Sequence, residues 1–249
     1  MRKKIEHERL EKPIITPEEF LNCEGVDLSR YKFEKALLAF MPIRGLEDRF
    51  DGKTTQKQIF THTRNYWVRD DGVILMGPIY GGPFCSIILE ELSVFRVKYA
   101  VGYGFCGSLD EDIAPGSMMV AESGFCSDGT SKEYTHDREV YPDVGMLQSL
   151  KNIIQSHGIK PEIGKVWATD ALYREFPSKI AYWKREGAKF VNLETSPFYA
   201  VARSKGIKAV YLSVVADNVN REKWSGWSTD LGNTTEKMWD IILELIKKL

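Results

Sequence analysis

The chain has 249 residues, with 34 basic side chains set against 35 acidic ones, 43% apolar and 28% charged residues, and four cysteines. A formal charge of −1 argues against a partner gripped through counterion release, because nucleic-acid binders carry a basic excess of roughly several charges. A chain of this length buries roughly three quarters of the surface its unfolded form exposes, so a core requires neither disulfides nor a structural metal. Cys23, Cys85, Cys106 and Cys126 form no C-x-x-C pair, and His62 and His136 stand far apart. No metal site and no disulfide framework is therefore expected. The N-terminus mixes both charges with no apolar run behind it, and no window approaches the ~18 apolar residues of a membrane span. The expectation is a cytoplasmic chain with no nucleic-acid or membrane partner, leaving small molecules and protein chains.

The first element is opened by chemistry at Thr16, Pro17 and Glu19: a capping hydroxyl, a proline suited to the first turn, and a glutamate placed to complete a capping box. Residues 36–41 read as a strand. Residues 73–76 and 97–101 are short apolar or β-rich runs, and between them Phe84, Ile87, Ile88, Leu92 and Phe95 recur at helical spacing. Residues 117–121 form a further strand. Val144, Leu147, Leu150, Ile153 and Ile154 then mark a helix stopped at Gly158. Strands follow around Val166 and over 188–193, then a helix over 197–205 closed by Gly206. Residues 209–216 are an almost continuously apolar strand of the kind buried on both faces. Met238, Ile241, Ile242, Leu245, Ile246 and Leu249 share one face of a last helix. This alternation predicts an α/β domain on a largely parallel sheet, with ligands at the carboxyl ends of strands.

Gly102, Gly104 and Gly107 match G-x-G-x-x-G after a strand, with Glu122 about 20 residues on, where a dinucleotide fold places its ribose-binding acid. A dinucleotide crossover needs a helix of about ten residues after the glycines, and Pro115 and Gly116 leave no room for one. The glycines are instead expected in a tight loop at a strand end. Such a loop is either a plain turn packed on the core or a nest of backbone N–H groups facing an anion or a sugar.

Seven segments in order, GPIYGGP (77–83), GFCGSL (104–109), IAPGSMMV (113–120), DGTS (128–131), ATDALY (168–173), VNLET (191–195) and VVADN (214–218), resemble the signatures of the purine nucleoside phosphorylase and uridine phosphorylase superfamily. The resemblance runs from about residue 73 to 220. It implies an α/β, three-layer, phosphorylase/hydrolase-like fold with a central mixed, partly barrel-closed sheet flanked by helices. It also implies one domain over residues 1–249, with 1–35 as an N-terminal extension of unassigned role. The implied activity is cleavage of the N-glycosidic bond of purine nucleosides by a cytoplasmic homo-oligomer, dimer or hexamer, in purine salvage. No cofactor is implied, and phosphate is the co-substrate if the enzyme is a phosphorylase.

Breaking that bond builds oxocarbenium charge on the sugar and negative charge on the base. A site therefore needs a hold on the ribose, a proton for the base and a nucleophile behind C1′. By resemblance Glu194 is the ribose clamp, since a carboxylate accepts bonds from both the 2′ and 3′ hydroxyls; on its residue type alone it is equally a cap for the helix beginning near Pro197. Asp217 matches the acid that protonates a purine at N7, and burial would keep its proton available near neutral pH; alone, it is equally an Asp starting a turn with Asn218. Leu193, Gly104, Phe105, Cys106, Gly107, Tyr173 and Asn218 complete the expected substrate-binding set. Tyr173 is placed at the base or 5′ end by the resemblance and in the core by its residue type. Trp224 and Trp227 are either a lid stacking on the base or an aromatic contact within an oligomer.

The chain departs from the phosphorylases at the anion site. Gly102 stands where they carry an arginine, and Phe105 where they carry a serine or threonine. Arg44, Arg49 and Arg64 are the candidates to take over phosphate binding. Glu47 supports the other branch of the superfamily, the nucleosidases, in which a glutamate shortly after the first strand positions water. Phosphorolysis leads narrowly because 113–131 reads more like the phosphorylases. Hydrolysis is the alternative, and a nucleoside-binding protein with a decayed nucleophile site is the third possibility.

Overall fold

The computed structural model describes residues 13–42, 45–50, 53–54, 66–219, 224, 226–228 and 231–249, with the side chains of Glu47, Lys53 and Thr54 outside the described part. Helix α1 (Pro17–Cys23) begins with the expected capping box: the Glu19 N–H donates to Thr16 Oγ1 at 3.2 Å, and the Glu19 carboxylate takes the Thr16 N–H in return. Leu21, Val26 and Phe33 join the core cluster that contains Leu89 and Leu92 of the helix over Gly81–Val94.

Ten strands form one sheet among the described residues. They are β1 (Lys35–Phe40), β2 (Lys53–Thr54), β3 (Tyr66–Val68), β4 (Val73–Met76), β5 (Tyr99–Ser108), β6 (Met118–Phe125), β7 (Glu139–Val140), β8 (Glu162–Ala168), β9 (Ala188–Asn192) and β10 (Lys208–Asn218). The spatial order is β10-β6-β8-β9-β5-β1-β4-β3-β2, with β7 on β6. Strand β10 also pairs with β5, which closes β5, β10, β6, β8 and β9 into a five-stranded barrel. The sheet is mixed, as the family resemblance implies, and not largely parallel. Pairs such as β1–β5, β5–β10 and β6–β8 are parallel, whereas β5–β9 and β6–β10 are antiparallel. The reason is visible after β5, where the chain reaches β6 through a short turn at Gly116 without the helical crossover that a parallel neighbour requires.

Helices α2 (Leu46–Phe50), α3 (Gly81–Val94), α4 (Gly129–Tyr134), α5 (Val144–Ser156), α6 (Pro177–Arg185), α7 (Thr195–Ser204) and α8 (Gly232–Lys248) complete the described elements. Two large apolar clusters lie against the sheet. One carries Leu89 of α3 with Phe198 and Tyr199 of α7; the other carries Leu150 and Ile153 of α5 with Ile242 and Leu245 of α8. Strand β10 is buried from Ala209 to Asn218, as its unbroken apolar run requires. No described helix is long and apolar enough to cross a membrane.

The glycine motif lies inside β5, not in a loop, because the strand continues to Ser108. Its glycines answer to close approach instead of turn geometry. A Cβ on Gly102 would stand 2.6 Å from the Tyr211 ring and 3.1 Å from the rings of Phe198 and Phe40, and one on Gly104 would stand 2.7 Å from the Tyr211 hydroxyl. The aromatic residues of β1, α7 and β10 fill the space that side chains on this strand would need.

Candidate active site

The C-terminal ends of β1, β5, β9 and β10 open on a cleft of about 360 Å³, where ligands of such sheets bind. Residues 105–107 of β5 form one wall, 192–194 another, and 216–217 of β10 a third, with Tyr80, Leu172, Glu175 and Trp227 at its rim.

Glu194 occupies the N-cap position of α7, but its side chain does not cap the helix. Asn192 supplies the cap in its place. The Asn192 Oδ1 accepts the N–H groups of Glu194 and Thr195, and its Nδ2 donates to Thr195 Oγ1 at 2.8 Å. The Glu194 carboxylate is thereby freed to face the cleft. Its Oε1 accepts the Gly81 N–H at 2.9 Å from the start of α3, and its Oε2 accepts the Leu193 N–H at 3.2 Å. Only 5% of Glu194 is exposed, and burial pushes the carboxyl up to about 7 against the lowering effect of those two N–H groups. Lone pairs remain on the carboxylate for two further donors.

Asp217 lies within β10, at a bulge that shifts the register against β5 between Val215 and Asp217. It does not start a turn. A bulge re-aims a side chain, and here the carboxylate reaches the cleft, with Oδ1 2.9 Å from the place a Cβ on Gly107 would take. Trp224 Nε1 donates to Oδ2 at 2.6 Å. Burial raises the carboxyl above its ordinary range, and the indole hydrogen bond lowers it.

Glu175 is a third carboxylate of the cleft and was not anticipated from the sequence. Burial, and then the charge of Asp217, pushes it up to about 7. The expected contact Tyr173 is 94% exposed and lies outside the cleft lining. Residues 172–174 form a 3₁₀ turn, in which positions i and i+3 share a face. Leu172 and Glu175 therefore face the cleft and Tyr173 faces solvent. The available signal was an acid three residues beyond an apolar one in a turn at a strand's end.

The other expected residues divide. Leu193, Phe105, Cys106 and Gly107 line the cleft, and burial, with Asp217 nearby, raises the Cys106 thiol so that it stays protonated. Gly104 lies outside the lining, beneath the Tyr211 hydroxyl. Asn218 is buried and donates from Nδ2 to the Asp110 carbonyl at 2.6 Å, so it braces the end of β5 and does not contact the cleft. Arg49 is committed elsewhere, paired with Asp240 at 2.8 Å and Glu236 at 3.4 Å, and set over the Trp239 ring. Arg44, Arg64 and the side chain of Glu47 lie outside the described residues. Trp227 lines the cleft and meets Phe105 edge-on at 5.6 Å. Among the described lining residues the carboxylates are Glu175, Glu194 and Asp217, with no lysine or arginine.

The site thus joins a barrel-closed mixed sheet to two buried carboxylates, Glu194 and Asp217, at its strand ends. The sequence profile of the phosphorylase superfamily matches residues 46–246. The chain belongs to that superfamily, and so is an enzyme of the nucleoside phosphorylase and nucleosidase group. Protein R802 of Acanthamoeba polyphaga mimivirus is 29% identical over 230 residues, 89% of each chain. Purine nucleoside phosphorylase DeoD-type 1 of Vibrio cholerae is 26% identical over 194 residues, 76% of this chain and 79% of that one. The crystal structure of an AMP nucleosidase from Bacteroides thetaiotaomicron superposes with a TM-score of 0.74 at 18% identity, covering 93% of this chain and 98% of that one.

Proposed function

We propose that the cleft cleaves the N-glycosidic bond of a purine nucleoside with water as the nucleophile. Glu194 accepts the 2′ and 3′ hydroxyls. Asp217 gives its proton to N7 as the C1′–N9 electron pair moves onto the base, and water adds to C1′. Glu47 is the candidate to take the proton that water loses.

The observation that carries hydrolysis is the aromatic filling at Gly102. Where phosphorylases carry an arginine, the rings of Tyr211, Phe198 and Phe40 leave no path even for a Cβ. The next donor position is Phe105, packed against Trp227, and the described lining carries acids without a cation. A phosphate dianion would find no compensating charge among these described residues.

Phosphorolysis is the second reading. It is supported by the name of the Vibrio cholerae relative and by the phosphorylase-like stretch 113–131. It requires Arg44 or Arg64 to supply the anion site. We also read the enzyme as a cytoplasmic homo-oligomer of purine salvage that works without metal or cofactor. One assay separates the readings: inosine, adenosine and guanosine are incubated with the enzyme, with and without phosphate, and the sugar product is identified. Free ribose formed without phosphate is the expected result. Ribose 1-phosphate would replace hydrolysis by phosphorolysis, and nucleoside binding without base release would leave a binding protein.

A further inference from the structure

Glu194 is held by backbone N–H groups, whereas Asp217 takes its hydrogen bond from a side chain. Trp224 Nε1 donates to Oδ2 at 2.6 Å. The stretch that carries Trp224 is tied back to the acid's own strand, since the Ser228 N–H donates to the Ala216 carbonyl at 2.9 Å. An indole N–H donates, never accepts, and does not titrate. A hydrogen bond of this kind occupies Oδ2 as an acceptor in both protonation states of the acid. The proton of the neutral acid is then better placed on Oδ1, the oxygen that lies against Gly107 in the cleft wall.

We propose that Trp224 is a positioning residue for the catalytic acid: its indole N–H fixes the proton of neutral Asp217 on Oδ1, toward the base, and stabilises the carboxylate left after transfer. This rests on Asp217 acting as the acid in glycosidic cleavage. The proton that moves is the one on Oδ1. It passes to the base as the C1′–N9 pair arrives there, and the indole keeps its own proton throughout. The other titratable groups near Asp217 are Glu175 after the 3₁₀ turn, Cys106 on β5 and Glu194 at the start of α7. The charge of Asp217 raises the Glu175 carboxyl, and Cys106 stays protonated and neutral. Trp224 thus supplies the hydrogen bond that favours the ionised acid.

The test is a carbon-13 NMR titration of the Asp217 carboxyl, assigned by its loss in Asp217→Asn, in the wild-type protein and in Trp224→Phe, with Trp224→Leu as a second variant. Trp224 is largely exposed, so the substitution removes a donor and little core. Losing a donor to the charged form should raise the Asp217 pKa by about half to one unit. In turnover, kcat should fall roughly fivefold or more with KM within about twofold, and the high-pH limb, where the acid loses its proton, should move upward by the same amount. Trp224→Phe should add little to the loss already present in Asp217→Asn. An unchanged or lowered Asp217 pKa in folded variants overturns the assignment. So does a change confined to KM, which would make Trp224 a substrate contact. The titration needs no turnover, so an enzyme that releases no base would sink the proposed activity while the carboxyl pKa still decides the role of Trp224.

Discussion

Glu194 and Asp217 are both buried carboxylates raised by desolvation, yet they are held by different means. Glu194 is fixed by main-chain groups from two elements, the start of α3 and its own turn before α7. Asp217 is fixed at a strand bulge and steadied by the side chain of an exposed tryptophan. The difference fits the work proposed for each. A group that anchors a sugar acts through position, which backbone donors supply without rotamer freedom. A group that delivers a proton must be stable both with and without it, and a neutral indole donor suits either state.

The comparison can be broken most severely at the acid. Asp217→Asn should cost about 10²-fold or more in purine turnover, measured as base release under saturating nucleoside; unchanged turnover would remove the assignment. At the anchor, Glu194→Gln keeps an acceptor for Gly81 but loses the charge. It should reduce kcat/KM roughly ten- to a hundredfold, the size of a charged hydrogen-bond contribution, and a 2′,3′-dideoxy nucleoside should be insensitive to the change. Gly107→Ala would bring a Cβ to 2.9 Å from Asp217 Oδ1 and should lower kcat about tenfold by displacing the acid, with KM much less affected.

Two smaller effects concern stability. Gly102→Ala forces a methyl group into the three aromatic rings and should cost about 1–3 kcal/mol in urea unfolding; a neutral result would mean that the rings yield easily and would weaken the case against an anion there. The pH dependence sharpens the contrast in another way. Glu194 is raised from 4.5 to about 7 in the folded state, so between these values the folded chain holds a proton that the unfolded chain has released. Stability therefore falls as pH rises through this window. Glu194→Gln removes the penalty and should unfold about 1–3 kcal/mol less readily than wild type at pH 8, with the difference fading toward pH 4. An equal slope in both proteins would show that burial is not what perturbs Glu194.

Local chemistry was the legible part of the fold. The capping box at Thr16 and Glu19, the apolar run that became β10 and the amphipathic face of α8 follow from residue type and spacing, and the structure forms each of them. The limits were long-range. The glycines of β5 looked like a turn because the rings that need their space come from Phe40, Phe198 and Tyr211, far away in sequence. A largely parallel sheet was the natural inference from alternation, since the pairing of β6 with β10 and of β9 with β5 has no local signal.

The site shows the same division. Leu193, Glu194 and Asp217 were identified by motif, and the motif was enough to bring them to one cleft. Tyr173 and Asn218 sit in those same motifs, yet one faces solvent and the other braces a turn, because a motif gives neighbours in sequence and leaves direction open. Glu175 entered through the phase of a 3₁₀ turn, and Arg49 left through its pairing with α8.

By itself, the sequence identified the family, the two candidate carboxylates and Gly102 where the resemblance leads one to expect an arginine, since these are matters of which side chain occupies which position. Only the tertiary structure decided what fills the space at Gly102, which oxygen of Asp217 is engaged, and that three carboxylates share one cleft. Those depend on contacts between residues distant in the chain, and burial, which sets their protonation, exists only once the chain has closed around them.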